Sequence, residues 1–172
     1  MDPRAQALIA GLGLQPHPEG GHYREIHRST DAVLRVADGQ RRVGLTVIHF
    51  LLTHGAASRW HQVASDEAWQ HLEGAPLRLF EFPAGGGAGR CVTLGPVGPG
   101  SVPVHVVPAG CWQAAQTEGA YTLVACSVGP GFDFADFRLL ADLPEAEAPV
   151  PTGLPHWRAL RRRAGRAGWI GS

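Results

Sequence analysis

The sequence predicts an all-β fold, a sandwich or a barrel, on three observations. Short segments in which apolar and polar residues alternate follow one another at regular spacing between residues 23 and 128. No long helical period interrupts them, and glycines and prolines separate them as turn residues do. At 172 residues, 44% of them hydrophobic, the chain has the length and composition of one domain with a sizeable core.

A short helix is predicted to open the chain. Asp2 and Pro3 have the character of an N-cap and a first helical position, and Leu8, Ile9 and Leu12 recur at helical spacing. The glycines on either side of Leu12 are expected to end the helix.

Strands are predicted along most of the chain that follows. Their ranges are 23–30, 33–36, 42–52, 58–63, 67–73, 77–82, 91–94, 102–107, 112–116 and 121–128. An Asp38–Gly39 turn between the second and third strands is a strong hairpin signal. After the last strand, Phe132, Phe134 and Phe137 alternate with aspartates, and we expect their rings to lie over the barrel.

Charge and cysteine content limit the partners and the compartment. The chain has 15 Lys and Arg against 15 Asp and Glu, and arginine supplies every positive side chain. A neutral chain has no strong field for nucleic acid or a membrane, so neither is expected as a partner. Three cysteines without a Cys-x-x-Cys pairing favour buried free thiols, and we find no signal peptide, so a cytoplasmic location is expected.

One predicted strand has an unusual inner face. Along strand 67–73, Glu67, Trp69, His71 and Glu73 are expected to share one side. An interior that accepts a glutamate, a tryptophan and a histidine is less typical of a hydrocarbon core than of a ligand cavity, where a few polar groups orient the ligand among apolar walls.

Other candidate pocket residues come from neighbouring segments. They are Ser58, Gln113, His49 and Tyr23, in addition to Trp69 and His71. His49 has two interpretations, because a histidine within an apolar strand is either a hydrogen-bonded core residue or a pocket residue. The strand with Tyr23 places Tyr23, Glu25 and His27 on one face, and the sequence does not decide which face is inward.

The spacing of the polar residues resembles a known pattern. Gly55, His61, Glu67 and Gly74 are spaced as in the first signature of the cupin superfamily, except that Val63 replaces its second histidine. The stretch around residue 108 resembles the second cupin signature. There Pro108 and Gly110 fit, Gln113 replaces the histidine and Thr117 replaces the later asparagine.

The chain is further similar to one cupin family, Cupin-5, over residues 14–140. The shared blocks, in order, are HPEGGHYRE (17–25), TVIHFLL (46–52), DEAWQH (66–71), VPAGCWQ (107–113) and SVGPGFDFADF (127–137). The resemblance implies a cupin double-stranded β-helix, also called a jelly-roll barrel, with a short N-terminal helix and a C-terminal tail or helix. It also implies a homodimer. The resemblance implies little about a reaction, since the family has no agreed activity.

The composition changes near residue 144, which suggests a division of the chain. Residues 1–143 are expected to form the barrel with its N-terminal helix and arm, and 144–172 a Pro/Ala/Arg-rich extension. Its end carries five arginines: Arg158, Arg161, Arg162, Arg163 and Arg166. A solvated helix or tail is the expectation, and contact with nucleic acid or acidic lipid is the alternative.

A metal cofactor is not expected from these residues. Where a cupin gathers three histidines and a glutamate, this chain has His61, Val63, Glu67 and Gln113. One imidazole, one carboxylate and an amide bind transition metals weakly. A divalent metal stays an alternative, held by His61, Glu67 and His71 with Gln113 as a weak fourth ligand.

Without a metal, His61 and Glu67 form a candidate acid/base pair for catalysis. The pair is similar to the arrangement in metal-free cupins such as sugar-nucleotide epimerases, which use a histidine base and a tyrosine acid. The chain has two tyrosines, Tyr23 and Tyr121. Three hypotheses remain: an isomerase or epimerase of small polar molecules, a cupin that binds a small polar metabolite without catalysis, and a metal-dependent cupin enzyme.

Overall fold

The N-terminal helix, α1, spans Pro3–Leu12. In the computed structural model, which describes residues 1–161, the Asp2 side chain caps α1 by accepting hydrogen bonds from the N–H groups of Arg4 and Ala5. Gly13 ends the helix with φ of 62°, a left-handed conformation that glycine adopts at little cost. The predicted helix and its cap are confirmed. Within residues 1–161 no helix is long and apolar enough to cross a membrane.

Strands follow along the described chain. The earlier ones are β1 Gln15–Pro16, β2 His22–Arg28, β3 Ala32–Arg35, β4 Gln40–Val43, β5 Thr46–Thr53, β6 Ala57–Val63, β7 Asp66–Gly74 and β8 Leu77–Phe82. The later ones are β9 Gly87–Ala88, β10 Arg90–Leu94, β11 Val104–Val107, β12 Trp112–Thr117, β13 Tyr121–Gly129, β14 Phe137–Leu139 and β15 Pro151–Thr152. Apart from 42–52, each predicted strand begins and ends within two residues of an observed one.

Two antiparallel sheets form the barrel. One has the order β1-β2-β5-β13-β7-β11, and the other has the order β10-β8-β12-β6-β14. Inward side chains from both sheets meet in one apolar core, which includes Phe50, Leu52, Trp69, Leu77 and Leu79. The predicted all-β jelly-roll barrel is the observed fold.

The predicted strand 42–52 is in fact two strands. β4 pairs with β3 as a separate hairpin, whereas β5 joins the six-stranded sheet. Between them, the Gly44 N–H donates to the Asp31 carbonyl at 2.8 Å, which turns the chain out of the hairpin. The hairpin predicted at Asp38–Gly39 is confirmed, because β3 and β4 pair on either side of it.

A β-bulge changes the faces of β7. The register between β7 and β13 shifts so that Leu72 has no partner residue on β13. A bulge of this kind reverses the alternation beyond it. Glu73 therefore turns away from the face of Glu67, and its carboxylate binds Arg4 of α1 at 2.8 Å. The prediction that Glu73 shares the inner face was wrong for this reason.

The described part of the C-terminal extension packs over the outer face of the five-stranded sheet. Leu154, Trp157 and Leu160 are buried in a second apolar cluster with Trp60, whose Nε1–H donates to the Trp157 carbonyl at 2.9 Å. The expectation of a solvated helix or tail is wrong here, because the apolar outer face of the sheet needs a cover. Part of the Arg-rich run lies outside the described residues: Arg162, Arg163 and Arg166.

The cysteines differ in exposure. Cys126 is buried, Cys111 is half-buried and Cys91 is exposed, and all three are free. The expectation of buried free thiols therefore holds for Cys126 and not for Cys91.

Candidate functional site

A cavity of about 270 Å³ lies between the two sheets. Strands β2, β5, β6, β7 and β13 line it together with the segments 17–19 and 132–137. Its lining includes the imidazoles of His17 and His61, the carboxyl groups of Glu19, Glu25 and Glu67 and the guanidinium of Arg28, among side chains that are mostly apolar or aromatic. This is the composition of a site for a small molecule.

His61, on β6, is buried with a defined tautomer. Its Nδ1 lies 2.8 Å from the Arg59 carbonyl oxygen, which only accepts hydrogen bonds, so Nδ1 carries a proton. Its Nε2 lies 3.2 Å from Oε2 of Glu19. Two lone pairs do not face each other at this distance, and one proton therefore lies between Glu19 and His61.

Burial decides where that proton resides. Burial raises the pKa of the Glu19 carboxyl and lowers the pKa of the His61 imidazole, because both charged forms lose their hydration. The neutral pair, a protonated Glu19 that donates to Nε2 of His61, is therefore the favoured form. The Ser58 hydroxyl donates to the other Glu19 oxygen, Oε1, at 2.8 Å.

The loop that carries Glu19 lies tightly against β6. The Arg59 N–H donates to the Glu19 carbonyl at 2.8 Å, and the Arg59 guanidinium binds the carbonyls of Pro18 and Glu19. Gly20 has φ of 113°, and a Cβ there would overlap the Ala57 carbonyl oxygen. Glycine is thus required for the close approach that aims Glu19 at His61.

His17 completes this side of the cavity. Its Nδ1 accepts a hydrogen bond from the Glu19 N–H at 3.3 Å and lies 3.6 Å from Glu19 Oε2. Its ring contacts Tyr23 edge to face, with centroids 4.5 Å apart. Burial lowers the pKa of His17, although the Glu19 carboxylate opposes this effect.

Glu67 is held by a chain of hydrogen bonds from behind the cavity. The Gln113 amide donates to Glu67 Oε2 at 2.6 Å, and its own oxygen accepts from Trp69 Nε1 at 2.8 Å. Burial raises the pKa of Glu67 to about 6, although its neighbour His61 opposes this effect. Glu67 therefore changes its protonation state near pH 6.

Three phenylalanines form the outer side of the cavity, as their alternation predicted. Phe132, Phe134 and Phe137, called the aromatic wall from here on, contact one another with ring centroids 5.0 to 6.1 Å apart. Phe137 also stacks on His61 at 5.5 Å. Beside the wall, a bulge at Ile26 in β2 turns Arg28 toward the cavity, where it binds Glu25 at 2.7 Å.

The predicted site residues are only partly brought together. His61, Glu67 and Tyr23 line the cavity. Ser58 and Gln113 do not line the cavity, but they donate hydrogen bonds to Glu19 and Glu67, which do. Trp69 belongs to the apolar core and reaches the site through Gln113.

His71 and His49 lie away from the cavity lining. His71 is four residues beyond Glu67 on β7, about 13 Å along an extended strand, and its Nε2 faces the Ala75 carbonyl at 3.3 Å. His49 alternates with the inward Ile48 and Phe50, and so faces the outer side of the sheet. The pocket interpretation of both residues is corrected by their positions.

Sequence reasoning missed Glu19 and His17. Both precede β2 in a segment of prolines and glycines, where no periodicity assigns a face. The available signal was the HPEGGHYRE block, since a histidine and a glutamate next to paired glycines mark a backbone that packs closely.

The chain matches the family model described as "Cupin superfamily (DUF985)" over residues 6–140. It belongs to this cupin family. Two solved structures resemble this cupin over most of both chains. A hypothetical protein from Leishmania major is 33% identical with a TM-score of 0.75, and the match covers 83% of this chain and 89% of that one. A protein from Shewanella oneidensis is 30% identical with a TM-score of 0.74, and covers 93% and 98%.

More distant structures share the fold. Oxalate decarboxylase from Bacillus subtilis is 18% identical with a TM-score of 0.53, over 76% of this cupin and 32% of that chain. KdgF from Halomonas is 14% identical with a TM-score of 0.50, over 71% and 89%. At these identities the likeness concerns the fold alone. No curated protein matches the sequence.

The residues at the usual cupin metal position do not fit a metal ion. Val63 offers no donor, and both ends of the Gln113 amide are committed to Glu67 and Trp69. The alternative set with His71 fails because His71 lies far along the strand. Among residues 1–161, no group of three or more His, Cys, Asp or Glu side chains is arranged to hold a metal ion. We therefore derive no step through a metal.

Proposed function

We propose that the cavity binds a small polar molecule and that the Glu19–His61 pair moves a proton on it. The corresponding activity is that of an isomerase or epimerase acting at a carbon next to a carbonyl group. The observation that supports this proposal is the 3.2 Å contact between Nε2 of the buried His61 imidazole and Oε2 of the buried Glu19 carboxyl, on the wall of a cavity. The sequence hypothesis paired His61 with Glu67, whereas the hydrogen-bonded partner is Glu19.

The pair is suited to act as a general base. It holds one proton and accepts a second, which leaves a protonated Glu19 beside an imidazolium. When the pair takes the proton, the substrate C–H bond breaks, its electron pair forms the C=C bond of an enolate, and the carbonyl oxygen takes the negative charge. A second group then returns a proton to the carbon.

Two side chains are placed to supply the returning proton. Glu67 holds a proton in part near neutral pH, because burial raises its pKa to about 6. Tyr23 lines the same cavity, and its hydroxyl is the alternative acid. Tyr121 is excluded from this role, since its hydroxyl donates to Glu73 at 2.7 Å beside α1.

The cavity volume limits the substrate. Sites for drug-sized ligands occupy roughly 300–1,000 Å³, and this cavity has about 270 Å³. A single sugar ring or a molecule of similar size is enclosed, and a sugar nucleotide enters through its sugar alone. The aromatic wall favours a ligand with one apolar face.

The test follows exchange of carbon-bound hydrogen with solvent. Small keto compounds, free sugars and nucleotide sugars are incubated with the protein in D₂O, and deuterium uptake is measured by NMR. Since general acid–base groups contribute about 10²–10⁴-fold, Glu19→Gln and His61→Ala should slow the exchange by such factors. His49→Ala, the same change on the outer face, should leave it unchanged. If the wild type exchanges no compound of the panel, the enzymatic proposal fails.

A binding protein without catalysis is the second candidate, and the aromatic wall favours it. Three rings around a small cavity stabilise a bound ligand without any proton transfer. Thermal shifts with the same panel test this candidate, because a ligand at 100 times its Kd adds about 2.7 kcal/mol to stability. Binding that is lost in Phe137→Ala, with no deuterium uptake in the wild type, selects this second function.

We also propose that the protein forms a homodimer through the outer face of the six-stranded sheet. Leu72, Val104 and Val106 are exposed on the adjacent strands β7 and β11, and β11 is an edge strand. Apolar side chains beside an open edge are suited to association. Light scattering at micromolar concentration should give a dimer, and Val106→Glu should give a monomer. Val97→Glu, at an exposed loop position, is the control and should remain a dimer.

A further inference from the structure

The β3–β4 hairpin lies outside the barrel sheets, yet its arginines bind the segment that closes the cavity. Arg35 and Arg42 both donate to the carboxylate of Asp136, which stands between Phe134 and Phe137 of the aromatic wall. The four contacts measure 2.7 and 3.1 Å from Arg35 and 2.8 and 2.7 Å from Arg42. Both oxygens of Asp136 thus accept from both arginines.

The ion pairs are shielded from solvent. The Asp136 and Arg35 side chains are each 7% exposed, and Arg42 is 12% exposed. Arg35 is fixed in turn by Asp38 and by the Ser65 hydroxyl. Charge-assisted hydrogen bonds in such a setting are stronger than exposed ones, so this attachment is a firm one.

The ends of the same segment are fixed as well, the first to the hairpin and to the barrel and the second to the barrel. The Gly131 N–H donates to the Val43 carbonyl at 2.7 Å, and the Phe132 N–H donates to the Thr46 hydroxyl at 2.9 Å. At the other end, β14 pairs with β6. Asp136 fixes the part between these ends, where Phe134 is 51% exposed at the cavity rim.

We propose that the β3–β4 hairpin is a clasp for the cavity, and that Asp136 is the positioning residue through which it holds the aromatic wall closed. Release of Asp136 from the two arginines lets the wall move outward and admits a ligand. The inference rests on the cavity being the ligand site, as proposed above. The hairpin thus serves the cavity, because the barrel does not need the hairpin to form its own core.

Cys126 provides a reporter that needs no substrate. It lines the cavity, is 2% exposed, and sits behind the aromatic wall. In a protein that carries Cys91→Ser and Cys111→Ser, alkylation of Cys126 by iodoacetamide at fixed pH measures how often the wall opens. Mass spectrometry gives the rate.

If the hairpin acts as a clasp, Cys126 should be alkylated faster when the contacts between Asp136 and the two arginines are weakened. Hydrogen bonds to charged groups contribute about 1.5–3 kcal/mol, so Asp136→Asn should raise the rate roughly tenfold or more. Arg42→Gln should raise it in the same direction, and the double variant should be no faster than Asp136→Asn. Arg4→Gln, which breaks an Arg–Glu contact at α1, is the control and should leave the rate unchanged.

Urea separates opening of the wall from global unfolding. If the wall opens locally, the rate in Asp136→Asn stays flat at low urea, whereas labelling through global unfolding rises steeply with urea. A rate in Asp136→Asn equal to that of the parent, or one that follows global unfolding, overturns the proposal. If Asp136→Asn does not fold, Arg42→Gln decides by the same criteria. Absence of any substrate or ligand would contradict the proposed function and leave this measurement intact.

Discussion

The two ends of the barrel interior differ, although the same sheets build both. At one end, His61 and Glu67 point into the cavity with burial opposing their charged forms. At the other, Leu52, Leu77 and Leu79 pack as hydrocarbon with at most 1% of their surface exposed. Trp69 lies between the two ends and contacts both, through its ring and through its N–H. The difference teaches that the hydrocarbon end supplies stability, whereas the cavity end loses some of it by burying ionisable groups.

The largest effect is expected at the hydrocarbon end. Leu79→Ala should lower the free energy of unfolding by about 2–5 kcal/mol, because Leu79 is fully buried and its loss leaves a cavity. Urea denaturation measures the change. The matched control, Leu34→Ala at an exposed position, should change stability by less than about 0.5 kcal/mol. Equal small changes at both positions would contradict the division between the two ends.

A smaller effect of opposite sign is expected at the cavity end. The Glu67 carboxyl has a pKa of about 6 in the folded protein, against its ordinary value of 4.5 in the unfolded chain. Between these values the folded state binds more protons, so stability falls as pH rises, and the loss is complete above pH 6. One pKa unit corresponds to about 1.4 kcal/mol.

Glu67→Gln should therefore stabilise the protein by about 2 kcal/mol at pH 7 and have little effect at pH 4. The glutamine keeps an oxygen for the Gln113 amide, so the change isolates the charge. Unfolding curves at the two pH values measure it. The control, Glu118→Gln at an exposed carboxylate, should leave stability unchanged at both pH values. If Glu67→Gln is instead less stable than the wild type at pH 7, the charge of Glu67 does not destabilise the folded protein.

The smallest effect is expected at Ser58, behind the Glu19–His61 pair. Ser58→Ala removes the hydroxyl that donates to Glu19 Oε1 and should cost about 0.5–1.5 kcal/mol. The cost should be similar in a Glu19→Gln background, because the hydroxyl then donates to the oxygen of a neutral amide in place of that of a neutral carboxyl. A double-mutant cycle in urea measures the coupling. A cost that shrinks markedly in the Glu19→Gln background would show that Ser58 donates to a charged Glu19, which would contradict the neutral pair.

The fold was predictable because its signals are local. Alternation and turn residues placed the strands, and Asp2 with Pro3 placed α1. The break at Gly44 was missed, since it depends on a contact with Asp31 that no period in the sequence reveals. β-Bulges also depend on contacts that no period in the sequence reveals, and the bulge at Leu72 reversed the face on which Glu73 lies.

The site was predictable in part for the same reason. His61, Glu67 and Tyr23 were recognised because they stand on regular strands. Glu19 was missed, because its direction is set by contacts with Arg59 and Ala57 some forty residues away in sequence. Side chains on irregular loops take their orientation from tertiary contacts, which periodicity does not encode.

The packing of residues 144–161 on the five-stranded sheet has a practical consequence for shortening the protein. The family match ends at residue 140, so a chain trimmed to that boundary would lack Leu154, Trp157 and Leu160. Trp60 and Phe80 would then face water, and the trimmed protein should be prone to aggregation. The boundary of the family match is therefore not a safe place to cut this molecule.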